Sequence, residues 1–124
     1  MNSKVSLIVR IVFGLFLIAM GANKFFHFMP PPSSLSPEAV AYWKGLVTTH
    51  TMTLVAIVEI AAGLSLLLKK YVGLTMLVLL SVSINAVLFH VAFDISEIGP
   101  AIILLVLNLL VIFVHKNEYK GLLA

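Results

Sequence analysis

The chain has 124 residues, of which 61% are hydrophobic and 10% charged, and its mean hydropathy is +1.14. Charges that sparse cannot cover the surface of a soluble domain of this size, which makes lipid the solvent. The net charge of +3 forms no Lys/Arg stripe of the kind nucleic acid requires, and the lack of cysteine rules out thiol–disulfide exchange, iron–sulfur ligation and cysteine-type zinc sites.

The first apolar run, residues 5–22, contains an arginine and is followed by bulky Phe and Lys residues. It is therefore read as a retained span and not as a secretory signal. The next stretch, 23–46, is the one long connection. Pro30, Pro31 and Pro32 make it stiff and extended, while Ser36-Pro37-Glu38 supplies an N-cap, a proline at the first helical position and an acid in the first turn. A short helix over 37–45 is predicted there, with Tyr42 and Trp43 suited to the headgroup layer. A lid over a bundle cavity is the alternative role for it. Further apolar runs follow at 47–68, 71–93 and 99–114. Runs of about 16 to 23 residues reach about 24 to 35 Å, against a hydrocarbon core of about 30 Å.

Only Lys69 and Lys70 separate the second and third runs, and residues 94–98 separate the third and fourth. Links so short force neighbouring helices to run antiparallel. The expected fold is all-α: a single membrane domain over 1–124, built as an antiparallel four-transmembrane-helix bundle with a short interfacial helix in its first outer loop. Lys4, Arg10, Lys69, Lys70, Lys116 and Lys120 fall on one side of such a bundle, and Lys24 and Lys44 on the other, with Glu38, Asp94 and Glu97. The positive-inside rule then places the protein in the cell membrane with both termini cytoplasmic, in contact with the lipid bilayer and its anionic headgroups.

Ionisable and amide groups inside the spans are costly in hydrocarbon and need a partner, a water-filled cavity or an escape to the interface. Counted from the flanking lysines, Arg10 lies about 9 Å deep, Glu59 about 15 Å and Asn108 about 12 Å. That depth allows one shared layer, in which Arg10 pairs with Glu59 and Asn108 fills a remaining hydrogen bond. Arg10, Gly14, Leu17, Gly21 and Lys24 form one face of the first span, Glu59 and Gly63 one face of the second, and Ser81 and Asn85 one face of the third; these faces are expected to meet. Arg10 has the alternative of snorkelling to the interface. Glu59 is either a structural carboxyl or a proton-exchanging or ligand-binding acid, and Asn85 and Asn108 are interhelical hydrogen-bonding groups or ligand contacts.

On the opposite side His27, His50 and His90 fall towards the outer ends of the first three spans, with Asp94 one turn beyond His90 and Lys24 at the same level as His27. These are donor types for a metal, and a pair of imidazoles can hold a haem, but their spacing shows no convergence. Interfacial hydrogen bonding is the favoured reading, and no metal site is assigned. Nucleophile elbows, phosphate loops and zinc-protease helices are missing from the sequence, so it gives acyl, phosphoryl and peptide chemistry no support.

The series Arg10-x3-Gly14-x6-Gly21-x2-Lys24, then Glu59-x3-Gly63-x2-Leu66-Leu67-Leu68, then His90 late in the third span, resembles the DoxX family of small four-helix membrane proteins. The chain departs from the usual pattern after the second span, where Lys69-Lys70 and Gly73 stand in place of a Gly followed by Arg or Thr-Arg, and in its proline-bearing first loop. The resemblance implies an association with membrane redox systems, since the family is named for a subunit linked to quinone-coupled sulfur oxidation. It implies an accessory subunit whose Arg10, Glu59 and Asn108 layer binds a quinone headgroup or relays protons, with no cofactor of its own and a flavin, haem or iron–sulfur partner to carry electrons. A non-enzymatic structural or assembly subunit of a membrane complex is the alternative, and the expected partner is a membrane redox protein or a second copy in a homo-oligomer. A small lipophile or ion carrier is a third reading, which the lack of broken spans and inverted repeats weakens.

Overall fold

The computed structural model describes residues 3–29 and 35–123, and its regular structure is helical, with no strand among those residues. The order is α1 (Ser3–Phe26), α2 (Pro37–Thr48), α3 (Thr51–Leu68), α4 (Val72–Phe93), a 3-10 turn at Ile95–Glu97, α5 (Gly99–Val114), a second 3-10 turn at Lys116–Tyr119, and α6 (Lys120–Leu123). Three helices, α1, α3 and α4, are long and apolar enough to cross a membrane. A fourth is added if α5 is taken with the segment Lys116–Leu122, which bends from it by 75°.

Local chemistry explains where the helices stop. α1 runs past the expected limit at residue 22 and carries Lys24 inside its last turns, until His27 turns left-handed at φ 53° and its N–H closes onto the Asn23 carbonyl at 2.7 Å. α2 opens as its capping residues dictate, with the Ser36 hydroxyl accepting from the Ala39 N–H at 3.2 Å. It continues three residues beyond the expected end at Gly45, stopping where Thr49 leaves helical geometry and His50 turns left-handed at φ 60°. Residues 47 and 48, expected in the second span, therefore belong to α2. Lys69 and Tyr71 are both left-handed, at φ 55° and 58°, so the α3–α4 reversal takes three residues, one more than the Lys69-Lys70 pair. The extended segment expected at Pro30 to Pro32 lies outside the described residues.

Phe13 and Leu17 of α1, Ala62 and Leu66 of α3, Val72, Met76 and Leu79 of α4, and Leu104 and Val111 of α5 form one buried cluster, so the four long helices share a core. Their outward faces are largely apolar as well, and lipid offers such helices no hydrophobic reason to associate. Close backbone approach supplies one instead. A Cβ on Gly63 would sit 2.7 Å from the Gly14 carbonyl oxygen, and one on Gly21 would sit 2.8 Å from that of Ala56. Because Gly14 meets Gly63 and Gly21 meets Ala56, α1 and α3 run antiparallel. α2 lies against the ends of α3 and α4: Ala39 is fully buried, and Tyr42 and Trp43 pack on Phe89 with ring centroids 5.7 and 6.0 Å apart.

Candidate functional site

The single shared layer does not form. Ala56 and Ile60 both meet Gly21, which puts Glu59 level with Gly21 on α1. By helical rise that is about 16 Å from Arg10 but only about 5 Å from Lys24. Side-chain direction adds to the effect, since helical side chains tilt towards their own N-terminus. On antiparallel helices Lys24 and Glu59 therefore point at each other, and Arg10 points away. Lys24 Nζ lies 2.6 Å from Glu59 Oε1, with the lysine side chain 15% and the glutamate 2% exposed. At that separation ammonium and carboxylate form a close, charge-assisted contact. The ammonium also approaches the Met20 carbonyl oxygen at 3.4 Å.

Arg10 serves the end of α3. Its Nη1 donates to the Leu66 carbonyl oxygen at 2.8 Å. The N–H of Lys70 bonds to Ser65, one residue short, so Leu66 carries one of the orphan carbonyls of a helix C-terminus, where a cation is favoured by the helix dipole. Asn108, fully buried, belongs to the other helix pair: Nδ2 donates to the Met76 carbonyl oxygen at 3.0 Å, and Oδ1 accepts from the Ser83 hydroxyl at 2.7 Å. Ser83 and Met76 were not singled out in the sequence; the signal available was that Met76, Leu79 and Ser83 repeat at helical spacing on the face of α4 that meets α5.

Asn85 faces away from this network. Its Nδ2 donates to the Ser81 carbonyl oxygen of its own helix at 2.7 Å, and both residues are exposed, so the expected meeting of their face with the others is overturned. The histidines stay apart. His27 and His50 are exposed, each at its own left-handed turn. His90 Nδ1 lies 3.1 Å from the Asp94 carbonyl oxygen and 3.6 Å from Asp94 Oδ2, and its ring stands edge-on to Phe89. Among the described residues, no three His, Asp or Glu side chains gather as metal ligands.

The sequence pattern of the DoxX family matches residues 5–92, from the first turns of α1 to the last turn of α4. The chain belongs to the DoxX family. No curated protein and no solved structure matches it. With its apolar helices, this DoxX chain is an integral membrane protein, and lipid contacts its outward faces. Of the polar groups inside the spans, Lys24, Glu59 and Arg10 fall within the matched range and Asn108 beyond it. The Arg10 and Asn108 contacts close on partners in the chain. The Lys24–Glu59 pair joins a carboxylate that is almost fully buried to an ammonium that is partly accessible.

Proposed function

We propose that this DoxX protein crosses the cell membrane four times as an antiparallel bundle with both termini in the cytoplasm and α2 in the outer headgroup layer. In this reading it serves as the accessory subunit of a quinone-linked or other membrane redox system, and the Lys24–Glu59 pair is its working group. The observation that carries the reading is the Lys24–Glu59 pair itself, a glutamate 2% exposed held 2.6 Å from an ammonium that is 15% exposed. An ammonium donor and a carboxylate acceptor side by side suit a quinone headgroup, whose carbonyl accepts from Lys24 and whose reduced hydroxyl donates to Glu59. The electrons come from a partner subunit carrying a flavin, haem or iron–sulfur centre, because this chain contributes proton-exchanging groups only. An assembly subunit is the second reading, favoured by the Asn108 and Arg10 contacts, which spend their polarity on helix register.

Gentle extraction of wild type and Glu59→Gln from their own membranes, followed by native mass spectrometry and quinone analysis, tests the choice. The redox reading expects a retained quinone or redox subunit that the variant loses while its helical content is unchanged. Phospholipid alone, in equal amounts on both proteins, makes the assembly reading the correct one.

A further inference from the structure

The lipid-facing residues of α1, α3 and α5 are apolar throughout their central turns: Ile8, Ile11, Val12, Leu15 and Ala19 on α1, then Leu54, Ile57, Ala61 and Leu64 on α3, and Ile102, Ile103, Val106, Leu109 and Leu110 on α5. α4 is different. Its exposed residues include Leu74, Val78, Ser81, Asn85 and Leu88, at spacings of four, three, four and three. That is the narrow seam by which one helix packs along another, and two of its five positions are polar. Asn85 is eight residues from the end of α4 at Phe93, about 12 Å inside the apolar span. Its Nδ2 makes one bond, to Ser81 of its own helix, and among the described residues its Oδ1 accepts none. A half-satisfied carboxamide facing hydrocarbon is unfavourable, and no water reaches that depth to complete it.

The chemistry of the group names its partner. A carboxamide carries donor and acceptor together and so complements another carboxamide. Two copies inserted in one membrane share orientation, which sets their α4 helices parallel and brings each residue near its own counterpart about a two-fold axis. We infer that the α4 seam Leu74, Val78, Ser81, Asn85 and Leu88 joins two copies of this chain, with the free Oδ1 of each Asn85 accepting from the Nδ2 of the other. Ser81, small and one turn away, lets the two backbones close to the distance that the exchange requires. This inference stands apart from the Lys24–Glu59 reading, since the seam lies on another helix.

The chain has no cysteine, so single cysteines report without background. Val78→Cys, Leu88→Cys and, as a control on α5, Ile103→Cys are made in the full chain, reconstituted into phosphatidylcholine/phosphatidylglycerol vesicles and oxidised. Disulfide-linked dimers are expected at 78 and 88 and not at 103. Adding Asn85→Leu, which suits a lipid-facing helix and leaves the fold intact, is expected to weaken association about 3- to 30-fold in a lipid-dilution energy-transfer assay. Asn85→Gln, which keeps the carboxamide, recovers most of it. Monomers at every dilution, equal cross-linking at 103, or an Asn85→Leu protein that associates like wild type overturns the inference.

Discussion

Removing Lys24 and removing Glu59 should not cost the same, although each breaks the same ion pair. At the observed 2.6 Å the Coulomb attraction is about 6 kcal/mol with an effective dielectric constant near 20. Desolvation of the two ions takes back most of that, so the pair is close to neutral against a well-packed apolar pair. The singles differ through what each leaves behind. Lys24→Met strands a carboxylate that is only 2% exposed, for which a loss of about 3 kcal/mol is expected. Glu59→Leu strands an ammonium two residues from the end of α1, whose four-carbon stem can carry it to the interface, so about 1 kcal/mol is expected. The double variant removes both charges and should also lose only about 1 kcal/mol, less than the sum of the singles by about 3 kcal/mol. Reversible unfolding in mixed micelles, followed by far-UV circular dichroism, gives all four corners of the cycle. Additive losses, or a Glu59→Leu protein less stable than Lys24→Met, would refute a pair in which only the lysine has an escape.

Close backbone approach makes a second contrast: Gly63→Ala should destabilise by about 1 to 3 kcal/mol in the same assay, because its Cβ would lie 2.7 Å from the Gly14 carbonyl oxygen, whereas Gly45→Ala, with nothing within 4 Å and a helical backbone, should be stabilising by up to about 1 kcal/mol. Asn108→Leu removes the bonds to Met76 and Ser83 and should cost about 1 to 2 kcal/mol, while Ser83→Ala, which leaves Asn108 Oδ1 without a donor, should cost about 1 kcal/mol; an unchanged midpoint for both would show that α4 and α5 do not depend on this network. Tyr119 donates to the Gly73 carbonyl oxygen at 2.8 Å, and burial first, then the neighbouring Glu118 charge, raise its phenol above the ordinary value of 10.0. The folded state therefore favours the neutral phenol, so attachment of the C-terminal segment should hold below about pH 10 and weaken as pH rises through the raised value. Limited proteolysis should show that trend in wild type, while Tyr119→Phe should be cleaved more readily at neutral pH and show little further change between pH 9 and 11.

The apolar runs and capping residues made the helices legible, since Ser36-Pro37-Glu38 and the lysine link each act within a few residues. The Gly14, Gly21 and Gly63 faces were also readable and do meet. The sequence shows that Glu59 needs a partner, but its cation is Lys24 and not the expected Arg10. Depth counted inward from Lys4 and from Lys69 assumes that the two flanks are level and says nothing about the offset of α1 against α3. That offset is set by glycine contacts between helices, which sequence spacing along one helix does not encode. Asn108 differs for a related reason: depth alone does not say which helix it meets, and its own helix packs on α4. Asn85 was noticed as polar, but helical periodicity cannot say which of two apolar faces looks out to lipid.

The unequal lengths of α4 and α5 have a consequence for the surrounding lipid. With 22 and 16 residues, the two neighbours rise about 33 and 24 Å, and the 75° bend after α5 stops the chain from making up the difference. A bilayer thick enough for an upright α4 is thus about 9 Å too thick for α5, and thinning on that flank relieves the mismatch. The protein then acts as a lopsided wedge, dimpling the membrane beside α5, and it should collect where the membrane is already thin.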